Sequence, residues 1–277
     1  MPSEVQNDLV TLSLTQSSHL LLSFTHFLTV AIHNVLFYRS LYPPTTFLTT
    51  RAYNLAVHQS RHPAVCNWIR DAVDAVRAQL VLGSVSRVAI VIHAPDARVL
   101  ERWMIDVAQF PAFKEYREPR GNRRDEDDDG VGAPERISVP GEDREAGGAD
   151  VGEAGAAAQQ REARVNWTDV DEAFRGAVRR MALAGEKMAA LPEGCSFTVA
   201  VELRDESEAP IGYPQSWIPS EPNLQTSSKD KPMSGEDVGG AKTRPIRSVE
   251  VGPLFFECWV EEGKAKDEIT SSNTSSG

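Results

Sequence analysis

Apolar and polar positions change rhythm several times along this chain. From Leu20 to Phe37 there is no Asp, Glu, Lys or Arg, and apolar residues recur at the three- and four-residue spacing of a helix. The polar members Ser23, Thr25, His26, Thr29, His33 and Asn34 cluster on one face. That predicts an amphipathic helix packed into a soluble protein rather than a membrane span. No basic segment precedes it and no small-residue cleavage site follows, so it does not read as a leader. Tyr42-Pro43-Pro44 stops this helix, because proline lacks a donor and restricts its predecessor. Short extended runs are expected around Thr45–Leu48 and Tyr53–Val57. His62-Pro63 opens a second helix, in which Val65, Trp68, Ile69, Val73, Val76 and Leu80 form the apolar stripe and Gly83 follows the end. Arg87–His93 holds a compact β run, and Val99–Val107 pairs with it through Ala94-Pro95-Asp96.

Further along, Thr168 is placed to cap a third helix whose first turn carries Asp169, Asp171 and Glu172. It should run to about Ala190, ahead of Pro192-Glu193-Gly194. Cys195, Phe197, Val199, Val201 and Leu203 then alternate with Ser196, Thr198, Ala200, Glu202 and Arg204, a strand with one buried face. Ile246–Val251 and Leu254–Val260 read as a hairpin turning at Gly252-Pro253. In it Leu254, Phe256, Cys258 and Val260 should face the helices, while Phe255, Glu257, Trp259 and Glu261 point outward. The order of elements predicts an α+β fold, three helices on a mainly antiparallel sheet.

Composition adds the domain plan. From Arg117 to Val165 no Phe, Trp or Tyr occurs, and the stretch holds Asp125-Glu126-Asp127-Asp128-Asp129 and many glycines. Residues 114–165 are therefore expected to form an acidic disordered insertion, unable to bury enough apolar area to offset their chain entropy. Residues 225–243 should be a flexible stretch and 264–277 a disordered tail, leaving order at about 10–113, 166–224 and 243–263 of a single domain. Among 277 residues, 29 Lys+Arg against 40 Asp+Glu give a net charge of −11, which argues against direct nucleic-acid binding. Three cysteines without a paired spacing argue against a disulfide framework or a structural zinc site and fit a reducing compartment.

Candidate chemistry is sparse. His19, His26 and His33 share a helix face, but neighbours lie roughly 10 Å apart, too far to share a metal ion. They read as a polar stripe. His62 and Cys66 have no apparent further ligands. No nucleophile elbow, phosphate loop, dinucleotide fingerprint or zinc-protease motif occurs, so neither enzyme chemistry nor a cofactor is expected.

Five blocks, in order, carry a family likeness: Tyr42-Pro43-Pro44 with Phe47; Tyr53-Asn54-Leu55-Ala56-Val57; Ser60-Arg61-His62-Pro63; Pro192-Glu193-Gly194-Cys195-Ser196-Phe197-Thr198-Val199; and Trp259-Val260-Glu261-Glu262. In them the chain resembles HORMA-domain proteins, above all the branch that supplies the small subunit of translesion DNA polymerase zeta. The insertion and the 225–243 stretch depart from the compact family pattern. The resemblance implies a non-catalytic adaptor, nuclear and cytoplasmic. A C-terminal belt would begin near Pro210, pass Trp217-Ile218-Pro219 and end in the hairpin, clasping a proline-containing peptide of the polymerase's catalytic subunit. It implies peptide contacts at Tyr42, Trp68, Trp217 and Ile246. It also implies a second surface at Glu257 and Trp259 for the C-terminal domain of a scaffold translesion polymerase, and a HORMA homo- or heterodimer interface at Arg175. The alternative within the family is a spindle-checkpoint or meiotic protein that chooses other peptides.

Overall fold

The computed structural model describes residues 14–110, 165–205 and 240–268, and between the last two 207, 210, 217–220, 222–227, 229, 232–236 and 238. The expected insertion lies outside these residues except for Val165, as does the tail beyond residue 268. Val165 itself is buried in the main core, so order begins slightly earlier than the composition implied.

The first helix, α1 (Leu14–Tyr38), is long and apolar enough to cross a membrane by length and composition alone. Its apolar side chains are instead used inside the protein. Leu20, Leu21, Phe24, Phe27, Leu28, Ala31, Ile32, Val35 and Leu36 are all buried in the main core. The polar stripe finds partners too, buried at His33 and Asn34 and exposed at His19 and His26. His19 stacks on Trp167, the His26 imidazole meets the Tyr53 hydroxyl at 3.0 Å, and Asn34 accepts the His58 backbone N–H.

Two strands follow, β1 (Phe47–Ala52) and β2 (Leu55–Ser60), paired antiparallel as a separate hairpin. Both are displaced from the expected runs because Tyr53 and Asn54 form the turn. Each has positive φ, 48° and 59°, the two-residue turn whose twist matches paired strands. Next comes α2 (Pro63–Leu82), with proline in its first turn and Gly83 at φ +69° donating to the Gln79 and Leu80 carbonyls, as the sequence predicts.

The main sheet contains β3 (Val85–His93), β4 (Val99–Asp106), β5 (Ser196–Leu203), β6 (Lys242–Val251) and β7 (Leu254–Glu262). Their spatial order is β5-β3-β4-β7-β6, with every pair antiparallel. The third helix, α3 (Trp167–Lys187), packs on α1 and β6. Its cap is Asn166 rather than Thr168. The Asn166 carboxamide accepts the Thr168 N–H at 3.1 Å, and the helix ends at Lys187, short of the expected Ala190. Gly185 permits the closest approach of α3 to α1, since a Cβ there would lie 2.9 Å from Tyr38 Cβ. The fold is thus α+β, with three helices on one face of an antiparallel sheet.

The chain past Gly263 does not fray at once. Residues 264–268 are helical, and Lys266 is 3% exposed. Its ammonium lies 2.5 Å from Glu101 and 2.6 Å from Glu262, while Arg39 grips Glu101 through Nε and one terminal nitrogen and donates to the Gly185 and Ala189 carbonyls. Arg244 Nε is a further charge contact 2.8 Å from Glu262, although that oxygen has no aligned hydrogen bond. Burial works against the Glu262 carboxylate, but Lys266 and Arg244 more than offset it and hold its pKa below the usual range. A polar tail can be ordered when one of its lysines completes a buried charge cluster. Composition could not reveal that.

Candidate partner-binding edge

The main sheet has two margins, and they differ. At β6 the edge carries Pro245, which cannot donate, a register slip between Pro245 and Arg247, and exposed Lys242, Arg244 and Arg247. The Arg247 guanidinium also lies against α3 at Gly176. At β5 the strand itself carries no proline and no basic residue, although its ladder with β3 slips in register between Val85 and Arg87. Ser196–Leu203 contains no proline, glycine or lysine, and among the described strands it pairs with β3 alone. Its inward side chains Phe197, Val199 and Val201 pack against the core yet stay only half-buried.

The flank of this edge is α2. Trp68 meets Phe197 edge-to-face, 4.9 Å between centroids at 77°. At the other end the Arg204 N–H donates to the Ser84 carbonyl, two residues past α2. Helix and strand therefore run side by side in the same direction for about 20 Å at 3.3 Å per residue. Trp68 is 43% exposed and Leu82, at the far end, 73% exposed. The arrangement is an open hydrogen-bonding edge beside an apolar strip. It can accept an added strand that places alternate apolar side chains inward.

The residues singled out in the sequence fall in different places. Trp68 is at this edge. Trp217 is half-buried against the main core, next to the largely exposed Ile218, while residues 211–216 of the expected belt lie outside those described. Tyr42 is half-buried on the same core, and burial pushes its phenol up. Arg39, three residues earlier, reaches the Ala189 carbonyl at 2.6 Å on the approach to β5. Ile246 is buried on β6, four strand spacings or about 19 Å across the sheet. The structure does not bring it to the β5 margin. Phe197, Val199, Val201 and Leu82 are the members that sequence reasoning passed over. The alternation of β5 was visible, but not that among the described strands none would cover its outer side.

The outer face of the sheet is a second, differently built surface. Arg87 pairs with Asp106 and Glu202, both at 2.9 Å, and Arg102 with Glu261 at 2.7 Å. The Trp259 indole donates to Glu261 at 2.8 Å and lies under the Arg87 guanidinium, 5.9 Å from its centroid. Glu257 is exposed beside it. Elsewhere, Arg175 on α3 is half-exposed and held by Glu172 at 2.7 Å. Cys66 and Cys195 donate to the Ser60 and Pro192 carbonyls, and burial raises all three thiols. Among the described residues no three His, Cys, Asp or Glu side chains converge as metal ligands would.

Comparison with known proteins gives a consistent picture. Residues 21–244 match the HORMA domain family. The DNA polymerase zeta processivity subunit of Schizosaccharomyces pombe is 24% identical over 86% of this chain and 91% of its own length. The human mitotic spindle assembly checkpoint protein MAD2B is 33% identical, over 31% of this chain and 40% of that protein. Among solved structures, a chain of the mitotic checkpoint complex superposes with a TM-score of 0.54 at 16% identity, covering 89% of this chain and 98% of that one. C. elegans HTP-2 bound to the HIM-3 closure motif superposes at 0.53 and 12%, covering 95% and 98%. These two likenesses concern the fold.

Proposed function

The chain belongs to the HORMA domain family, and from that premise we propose that it is a non-catalytic adaptor subunit of translesion DNA polymerase zeta. In this reading it clasps a proline-containing peptide of the catalytic subunit and bridges, through a separate surface, to the C-terminal domain of a scaffold translesion polymerase. The observation that carries the reading is the undefended β5 edge beside the half-exposed Trp68. Adding a strand there satisfies main-chain groups and covers an apolar strip, which is how extended peptides are held with selectivity. Trp217 closes over the peptide and Tyr42 borders it. Ile246, on the far margin, seats the hairpin rather than touching the peptide. Glu257 and Trp259 form the second surface, and Arg175 the contact to another HORMA domain. The long match to the fission-yeast processivity subunit supports polymerase zeta over the checkpoint and meiotic branches. The adaptor works in the nucleus, with a cytoplasmic pool.

Calorimetry with the proline-containing segment of the catalytic subunit tests this. Binding is expected, and Trp217→Ala should weaken it roughly thirtyfold, the usual loss for a buried aromatic anchor. Affinity unchanged in a correctly folded variant removes Trp217 from the site. Co-purification of a checkpoint regulator in place of polymerase subunits favours the checkpoint reading.

A further inference from the structure

A five-stranded sheet has two faces, and α1, α2 and α3 occupy one of them. On the other, Ala89, Val91, Val99 and Met104 are nevertheless buried, Met104 to 1%. Their cover comes in part from the sheet's own Ala200 and Trp259, and among the described residues Leu224 packs on this small cluster from outside the sheet. Leu224 ends a short 3-10 turn, Pro222–Leu224, in the connection that leads from β5 to β6.

That connection is braced in part against itself. The Gln225 carboxamide donates to the Ser220 carbonyl at 2.7 Å, the Gly235 N–H to the Gln225 carbonyl at 2.8 Å, and the Ser227 N–H to Ser234 Oγ. Gly235 has no room for a side chain, because a Cβ would fall 2.2 Å from the Asn223 carbonyl oxygen. Neighbouring apolar residues do not share the burial: Met233 is 79% exposed and Ile218 84%. The turn is therefore built to present one leucine to the sheet. Its seat lies beside Trp259, whose indole is already held by Glu261 and Arg87.

We infer that Leu224 is an internal plug for the second partner surface: a partner protein docks by displacing Leu224 and inserting its own apolar side chain against Ala89, Val91, Val99, Met104 and Trp259. The partner's anchor is flanked by a basic group that meets the exposed Glu257. This deepens, and rests on, the assignment of Glu257 and Trp259 to a second partner. It makes access to that surface depend on the connection that leads out of β5, the strand of the peptide-binding edge. Engagement at one margin of the sheet can then change the strength of docking on its outer face.

The test uses full-length protein with Leu224→Ser and Trp259→Ala, each shown to melt cooperatively. The scaffold polymerase's C-terminal domain is the protein probe, and 8-anilinonaphthalene-1-sulfonate reports exposed apolar surface. Leu224→Ser should bind the domain roughly tenfold tighter, the factor a largely buried leucine contributes in competition. It should also bind the dye more strongly, and adding Trp259→Ala should abolish both gains. If Leu224→Ser leaves affinity unchanged or weakens it while Trp259→Ala eliminates binding, the surface stands and the plug is overturned. Binding that survives Trp259→Ala overturns the surface assignment and the plug with it. No rise in dye binding on Leu224→Ser also overturns the plug.

Discussion

His33 Nδ1 accepts the backbone N–H of Ser60 at 3.3 Å, joining the C-terminal third of α1 to the end of β2. The ring is 4% exposed, and burial pushes its pKa down to about 4 from 6.5. The native state thus holds this imidazole neutral, as an acceptor, in a place where a charge would find little water.

Stability should therefore fall in mild acid. Between pH 6.5 and 4 the unfolded chain binds the His33 proton and the folded chain does not, so stability present above pH 6.5 is lost as pH drops. The loss amounts to at most roughly 3 kcal/mol for a shift of this size, and it levels off below pH 4. His26, His58 and His93, also shifted down by burial, act with the same sign. His33→Gln should flatten the curve of urea midpoint against pH over this window. A curve of unchanged slope would show that His33 is not the titrating group.

Removing Glu101 should be severe. Glu101→Ala leaves Arg39 as a buried cation without a carboxylate partner and takes one of two carboxylates from Lys266, which keeps Glu262. Removing one partner of a buried pair typically destabilises by about 3–5 kcal/mol. Ending the chain after Gly263 should also lower the melting temperature, because Glu262 then loses Lys266. Calorimetric melting checks both; a truncated protein as stable as the full chain would mean that the Lys266 contacts contribute nothing.

Trp68→Ala should weaken peptide binding at least tenfold while leaving the fold intact. The ring is half-exposed and supports Phe197 from outside the core, so truncation exposes little that was fully buried. Parallel calorimetry and thermal melting separate the two effects. A large loss of stability would make Trp68 a core residue.

Deleting residues 117–161 should leave the melting temperature nearly unchanged, since their composition offers no aromatic side chain and little apolar area to bury. By contrast, Val165→Ala should cost about 1–2 kcal/mol, because Val165 is part of the main core. If the deletion abolishes cooperative unfolding, the stretch packs on the domain.

Most of the architecture was legible because local rules and burial agree in it. Proline-opened α2, its Gly83 stop, the alternation of β5 and the Gly252-Pro253 hairpin are all written in nearest-neighbour chemistry. Errors came where a pairing or a competing partner, local or distant, outweighed a residue's own preference. Tyr53 and Asn54 became a turn because β1 and β2 pair across them, although Tyr53 itself favours extended backbone. Asn166, two positions earlier, outcompeted Thr168 as a cap. Lys266 is ordered by Glu101, far away in the chain. Edge status was the largest gap: nothing in Ser196–Leu203 says which of its sides will lack a neighbour, and nothing in Pro222–Leu224 says which face of the sheet the leucine will meet.

The contrast between the two sheet margins has a further consequence for the protein outside any complex. An open strand edge pairs with whatever extended backbone arrives, including that of an identical molecule, and β5 lacks the proline and the exposed basic side chains that guard β6. Left unoccupied, it is a site for edge-to-edge self-association. The net charge of −11 opposes this by keeping copies apart at ordinary ionic strength. An orphan subunit made in excess of its partner should accordingly become less soluble as salt rises, and an occupied one should not.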